Sequence, residues 1–298
     1  MSIIVDSSHT FLSSYSDSPF SASEEIFTLI DHKNCISYIF VHEKRRVNSR
    51  AIIRVVDYKN KIAKEERSRT LRFKIKSTFA SLPYSDEAIT FTGGGFTSSV
   101  IAKTNTYMIV AAAPSFILPN GKENFKAMLS FSINPKSLSY NQLFEKGRQK
   151  EVIHLSSSDC VKGEISIGER RSEIDSSSFS ARRTWKKSSF PLKREIFSFF
   201  IYGREEKSFS ILYSVQEKKC VLLDENNLIT YNNVEMKKKS DSLFLFSNNQ
   251  DTEISFSVFT TLTEKTGPFR QNRKLNYGLF SGKVGSFSFS DAFGCLEL

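Results

Sequence analysis

Phe125-Lys-Ala-Met-Leu-Ser-Phe-Ser-Ile133 alternates at every step: Phe125, Ala127, Leu129, Phe131 and Ile133 fall on one side of an extended chain, Lys126, Ser130 and Ser132 on the other. An α-helix needs a period of 3.6; a period of two is a strand with one face in a core and one in water. The pattern recurs in SFSILYSV, where Phe209, Ile211, Tyr213 and Val215 oppose Ser208, Ser210 and Ser214, and again in EISFSVF and GSFSFSD. Phenylalanine and serine serve here as core and solvent.

Working outward, roughly sixteen such runs occur between Ile36 and Phe289, divided by turn signals such as Asn120-Gly121, Asn134-Pro135 and Gly267-Pro268. The expectation is an all-β antiparallel protein of sandwich or barrel type. SYNQLFEK, Ser139–Lys146, reads as a short helix within a connector at 138–149. That divides the chain into a loosely held N-terminal arm (1–25), a first β-unit (26–137) and a second (150–298).

Composition narrows the chemistry. The 298 residues can bury a large core. Cys35, Cys160, Cys220 and Cys295 stand too far apart for any C-x-x-C pair, so neither a zinc clamp nor a dithiol motif is written in the sequence. No metal and no cofactor is expected. The first residues, MSIIVDSSHTFLSSYS, lack the basic leader and apolar core of a signal peptide, and no stretch reaches the roughly 20 apolar residues of a membrane helix, so a cytoplasmic location is expected.

Two motifs dissolve on inspection. Thr92-Gly-Gly-Gly-Phe-Thr97 lacks both the dinucleotide-fold spacing and a Gly-Lys-Ser/Thr, and sits between two strand patterns, AITFT and SSVIA; it reads as a hairpin turn. His32 and Cys35 form half a metal site with no second half. His42 stands at a strand end, His154 in the apolar run EVIHL, and His9 in the arm. Spacing nominates no catalytic group.

Charge is more informative. The net charge of +10 comes from two places: Arg170–Arg194, with eight cations against Glu173 and Asp175, and Lys265–Lys274. Inside the first lies the only tryptophan, in SARRTWKKSS, flanked by Arg182, Arg183, Lys186 and Lys187; Arg270 and Arg273 belong to the second. Such a cluster reads as a solvated loop or, alternatively, as a patch that attracts an acidic head group or an anionic membrane surface. Nucleic acid is set aside, because the aromatics are spaced as core residues and not as a stacking platform beside the cations. Ten residues after Trp185, EIFSFFIY is apolar on both sides: Phe197, Phe199 and Ile201 against Ile196, Phe200 and Tyr202. A strand of this kind lies between two layers or lines a cavity. The expected site therefore has Trp185, Phe197, Phe199, Phe200 and Tyr202 against the ligand, with Arg182, Arg183, Lys186, Lys187, Arg270 and Arg273 ringing its opening.

The run SSSDCVKGEISIGERRSEIDSSSFSARRTWKKSSFPLKREIFSFFIYGREEKSFSILYSV (156–215), the ending YGLFSGKV (277–284) with FSDAFGCLE (289–297), and the early SRAIIRVVDYKNKIAKEERSRTL carry a resemblance. Together they resemble a bacterial family of uncharacterised domains, distantly related to lipocalin-like proteins that include tocopherol cyclase, carotenoid hydratase and the fungal survival factor. The resemblance spans most of Ser49–Leu298. It implies two lipocalin-like antiparallel β-barrels, or strongly curved sheets, packed together, and a small apolar or amphiphilic ligand of isoprenoid or fatty-acyl type. Where that family places an acid and glycines around the tryptophan, this chain has Arg182, Arg183, Lys186 and Lys187, so chemistry resting on that acid does not carry over. Non-enzymatic binding is the expected function; a cyclase, hydratase or isomerase, and a basic interaction module, are the alternatives.

Overall fold

The structure is a computed structural model. It describes residues 22–45, 49–67, 78–81, 87–93, 96–103, 106–118, 121–131, 140–146, 149–158, 161–175, 178–187, 197–202, 209–214, 218–223, 228–248, 250–266 and 271–298; for β5–β7, β10, β11, β14 and β15, defined below, it describes backbone and register. All regular elements among these residues are strands. In chain order they begin with β1 (Ala22–Asp31), β2 (Ile36–Arg45), β3 (Ser49–Asp57), β4 (Ile62–Arg67), β5 (Thr78–Ser81), β6 (Glu87–Gly93), β7 (Phe96–Lys103) and β8 (Thr106–Leu118). Then come β9 (Gly121–Phe131), β10 (Tyr140–Lys146), β11 (Gln149–Ser158), β12 (Val161–Ile167), β13 (Arg170–Asp175), β14 (Ser178–Lys187), β15 (Phe197–Tyr202) and β16 (Ser210–Ser214). The last are β17 (Lys219–Leu223), β18 (Leu228–Tyr231), β19 (Glu235–Ser240), β20 (Leu243–Ser247), β21 (Thr252–Thr266), β22 (Gln271–Val284) and β23 (Phe287–Glu297).

Three expectations change here. Tyr140–Lys146 is strand β10, not a helix: its mixed charge is compatible with a strand at the edge of a sheet, where β11 supplies the pairing that local propensity does not. Ala22–Glu25 belongs to β1 and pairs with β14, so only residues before 22, which lie outside the described residues, remain of the expected arm. The chain divides into two units after Ser189, not near residue 140. One comprises Met1–Asp31, Ser37–Val55 and Lys64–Ser189, the other His32–Ile36, Val56–Ala63 and Phe190–Leu298.

The first unit is built from two seven-stranded antiparallel sheets, ordered β10-β11-β14-β1-β2-β3-β4 and β13-β12-β9-β8-β7-β6-β5. The alternation that opened the sequence is seen directly. Phe125, Ala127 and Leu129 on β9 are buried while Lys126 and Met128 are exposed, and Phe125 meets Tyr38 and Phe40 of the other sheet at ring-centroid distances of 6.5 and 6.2 Å. The Thr92–Thr97 segment is the expected hairpin, β6 pairing with β7 down to Gly93 opposite Phe96.

The second unit holds a nine-stranded sheet, ordered β18-β17-β16-β15-β23-β22-β21-β20-β19. Its two edge strands are consecutive in the chain. β18 ends at Tyr231 and β19 begins at Glu235, a span of about 14 Å at full stretch. The sheet must therefore curl until its edges meet. Asn233 makes the bend at φ 57°, a conformation asparagine tolerates. Val234 N donates to Lys218 O at 2.8 Å, the Tyr213 hydroxyl donates to Val234 O at 2.9 Å, and Lys218 Nζ lies 2.8 Å from Glu235 Oε1. β18 and β19 thus act as two halves of one bent strand, so the two edges of the sheet are joined by the chain rather than by a continuous ladder. Phe209, Tyr213, Phe244, Phe246, Phe256 and Phe280 converge inside with Ile211, Leu222 and Leu296, each at most 4% exposed.

One device occurs in both units and explains two of the quoted motifs. Gly163 in KGEISIG and Gly282 in YGLFSGKV take φ of 150° and 151°, and a Cβ at either would strike the backbone of the adjoining strand, at Met128 O and Glu253 O respectively. The glycine turns that follow donate Gly168 N to Asn124 O and Gly285 N to Asp251 O, at 2.8 and 2.7 Å.

Candidate functional site

The Trp185 segment is strand β14, third from one edge of its sheet, held between β11 and β1. Its register is continuous on both sides, and residues directly opposite one another occupy one row across the sheet. Trp185 stands in a row with Val152 and Ser23; since Val152 also opposes Leu143, that row reads Leu143–Val152–Trp185–Ser23. Further along β1 in the same alternation lie Phe27 and Leu29, both fully buried.

That alternation divides the cations. Arg183 and Lys187 share the alternation of Trp185; Arg182 and Lys186 hold the other, opposite Ile26 and Ala22 on β1. Lys187 opposes Lys150, which itself opposes Glu145. Arg183 opposes Glu25 on one side and His154 on the other, and His154 opposes Asn141. Arg183 has Glu25 directly opposite and Lys186 has Glu151, whereas Lys187 stands opposite Lys150 and Arg182 opposite Ile26 and Leu155. Glu25, Asn141, Lys150 and His154 were not nominated from sequence. Only the register brings them beside β14.

Phe197, Phe199, Phe200 and Tyr202 form β15, in a different sheet and the other unit. Phe199 pairs with Leu296 and Tyr213, and Phe200 with Cys295 and Leu212. Both alternations of β15 oppose buried neighbours: Tyr213, Ile211 and Leu296 belong to the filled interior, while Leu212 and Phe293 are buried on the other side. There Phe293 stacks on Tyr277 at 6.1 Å and meets Tyr58 at 5.4 Å. The doubly apolar strand is explained by two cores, one on each side. Arg273 pairs with Glu264 on β21, and Arg270 lies outside the described residues.

Elsewhere, Arg54 on β3 is 3% exposed with its Nε 3.1 Å from Glu65 Oε2 on β4, a buried charge held by a carboxylate. Inside the second unit, burial pushes the Tyr213 hydroxyl up to about 12, helped by Cys220 and Glu235, and burial pushes the Cys220 thiol up as well, with Asp251 adding to it. Neither is poised for proton transfer near neutrality. A concavity of about 800 Å3 lies along β20–β23, between Leu245, Ser247, Glu253, Ser255, Ser281 and Lys283, an open groove of mixed polar and apolar lining and not an enclosed cavity. Among the described residues no three potential metal ligands cluster, and no helix is long and apolar enough to cross a membrane.

No family model matches the sequence, and no curated protein matches it. Solved structures do. A Nitrosomonas europaea AttH-type protein superposes with a TM-score of 0.61 at 8% identity, over 97% of this chain and 96% of its own. CghA, solved with Sch210972, gives 0.52 at 8% identity over 94% and 88%, and kievitone hydratase from Nectria haematococca 0.50 at 10% over 93% and 88%. The chain therefore has the lipocalin-like, all-β fold of these proteins across nearly its whole length, as the sequence resemblance implied.

Proposed function

We propose that the chain binds a small apolar or amphiphilic ligand, isoprenoid or fatty-acyl in type, in its first unit, on the rows of β14 around Trp185, and releases it unchanged. One observation carries this reading. The interior of the second unit is occupied by its own aromatic side chains, whereas β14 carries the only tryptophan of the chain in a row with Leu143 and Val152, beside β1, whose Phe27, Thr28, Leu29 and Ile30 are buried on both alternations. The fold shared with CghA, solved with Sch210972, and with a kievitone hydratase supports a small organic ligand.

Mass spectrometry of a solvent extract of the purified protein tests the reading. About one apolar molecule per chain is expected, of unaltered mass when the same compound is added back and recovered. Recovery of a converted product would establish the enzymatic alternative. An empty extract, together with salt-sensitive flotation on phosphatidylserine vesicles, would establish a basic surface module in its place.

A further inference from the structure

Two rows from the buried Phe27–Leu29 end of β1, the register assembles four polar residues from four separate parts of the sequence. They are Asn141 on β10, His154 on β11, Arg183 on β14 and Glu25 on β1. They share the alternation of Phe27 and Leu29, which are fully buried, and the adjoining row is Leu143–Val152–Trp185–Ser23. Polar groups set next to residues such as Leu143, Val152 and Trp185 are costly where water is excluded unless they are satisfied by each other or by a ligand. Across these four strands the row sets one cation, Arg183, opposite one anion, Glu25. Arginine only donates, carboxylate only accepts, and amide and imidazole do both.

We infer that the row Asn141–His154–Arg183–Glu25 recognises the uncharged head of an apolar ligand, a hydroxyl or carbonyl, and disfavours a carboxylate. This deepens the reading above and rests on it. A hydroxyl can donate to an acceptor of the row and accept from a donor, adding no charge to it. A carboxylate would bring a second anion to a row in which Glu25 already stands opposite Arg183, and like charges brought side by side in a sheet repel. The cation count in the sequence points to an anionic head; the register, which sets an acid opposite Arg183, favours an uncharged one.

Retinol, retinal, retinoic acid and the headless hydrocarbon anhydroretinol have apolar bodies of the same carbon skeleton and accept excitation energy from tryptophan, so each can be titrated against Trp185 emission. Retinol and retinal are expected to bind about tenfold or more tighter than anhydroretinol and retinoic acid, the worth of one good hydrogen bond or one unmatched charge. Glu25→Gln leaves Arg183 uncompensated and is expected to invert the order, so that retinoic acid becomes the tightest. Asn141→Leu, a neutral change, should narrow the advantage of retinol over anhydroretinol without favouring the acid, and provides the test if Glu25→Gln does not fold. Equal affinity for retinol and anhydroretinol, tighter retinoic acid in the unaltered protein, or an order untouched by both variants would overturn the assignment. If none of the four binds, it is the ligand-binding reading itself that fails.

Discussion

Tyr213→Phe removes one oxygen from the core of the second unit and tests how the bend joining β18 to β19 is held. The hydroxyl donates to Val234 O at 2.9 Å, at the bend where β18 becomes β19, and both residues are at most 1% exposed. The ring that remains still packs edge-on against Phe246 at 5.2 Å, so the change is a lost hydrogen bond and not a cavity. Leaving a buried carbonyl unsatisfied costs about 1–2 kcal/mol at neutral pH. The cost depends on pH in a defined direction. Tyr213 ionises near 10 in the unfolded chain and near about 12 in the folded one, so between those values the folded protein holds a proton the unfolded one has released. Its contribution is complete below pH 10 and lost as pH rises toward about 12, up to about 3 kcal/mol at 1.4 kcal/mol per unit. Tyr213→Phe lacks that slope. Urea denaturation monitored by circular dichroism should show the variant less stable at pH 7, with the gap closing above pH 10. The buried Cys220 thiol adds an alkaline loss of its own, which is common to both proteins and largely cancels in the difference. A gap that stays constant from pH 7 to pH 12, or no gap at pH 7, would refute the reasoning.

Two further substitutions probe the cores. In Gly278→Ala the new Cβ would strike Ser257 O and come within 2.5 Å of Phe256 Cε2, and that ring is held by its 3.9 Å stack on Phe280. A destabilisation of about 3 kcal/mol is expected from the denaturation midpoint, with Phe256→Leu restoring part of it in the double variant. Glu65→Gln removes the carboxylate 3.1 Å from the buried Arg54 and is expected to cost about 3 kcal/mol, while Arg54→Met with Glu65→Gln recovers at least half; a double variant no better than the single one would contradict the pairing.

Much of the fold was legible in the sequence because half-buried strands write their alternation residue by residue. Phe125–Leu129, Phe209–Tyr213 and Ile254–Phe256 lie as their spacing says. Tyr140–Lys146 was misread because a polar strand at a sheet edge carries no alternation; its identity comes from β11, which pairs with it. The bent β18–β19 strand was hidden too, since closure depends on where Lys218 and Tyr213 lie in space, not on residues next to Asn233. The site was half visible. Trp185 and its cations were conspicuous, but a one-dimensional count cannot say that Arg183 stands opposite Glu25 and His154, residues 158 and 29 positions earlier. The doubly apolar pattern of β15 is met by buried neighbours on both of its alternations within the second unit, which its spacing alone does not show.

The central claim, that an apolar ligand lies on the rows of β14 around Trp185, is tested most directly by contact quenching. Bromine quenches indole emission only when the two nearly touch, and the chain has a single tryptophan. Titration with 9,10-dibromostearyl alcohol is predicted to extinguish most of the Trp185 emission with an endpoint of one molecule per chain, while unbrominated stearyl alcohol competes it back. Stoichiometric binding of the brominated alcohol by calorimetry with Trp185 emission undiminished would place the ligand elsewhere and contradict the account.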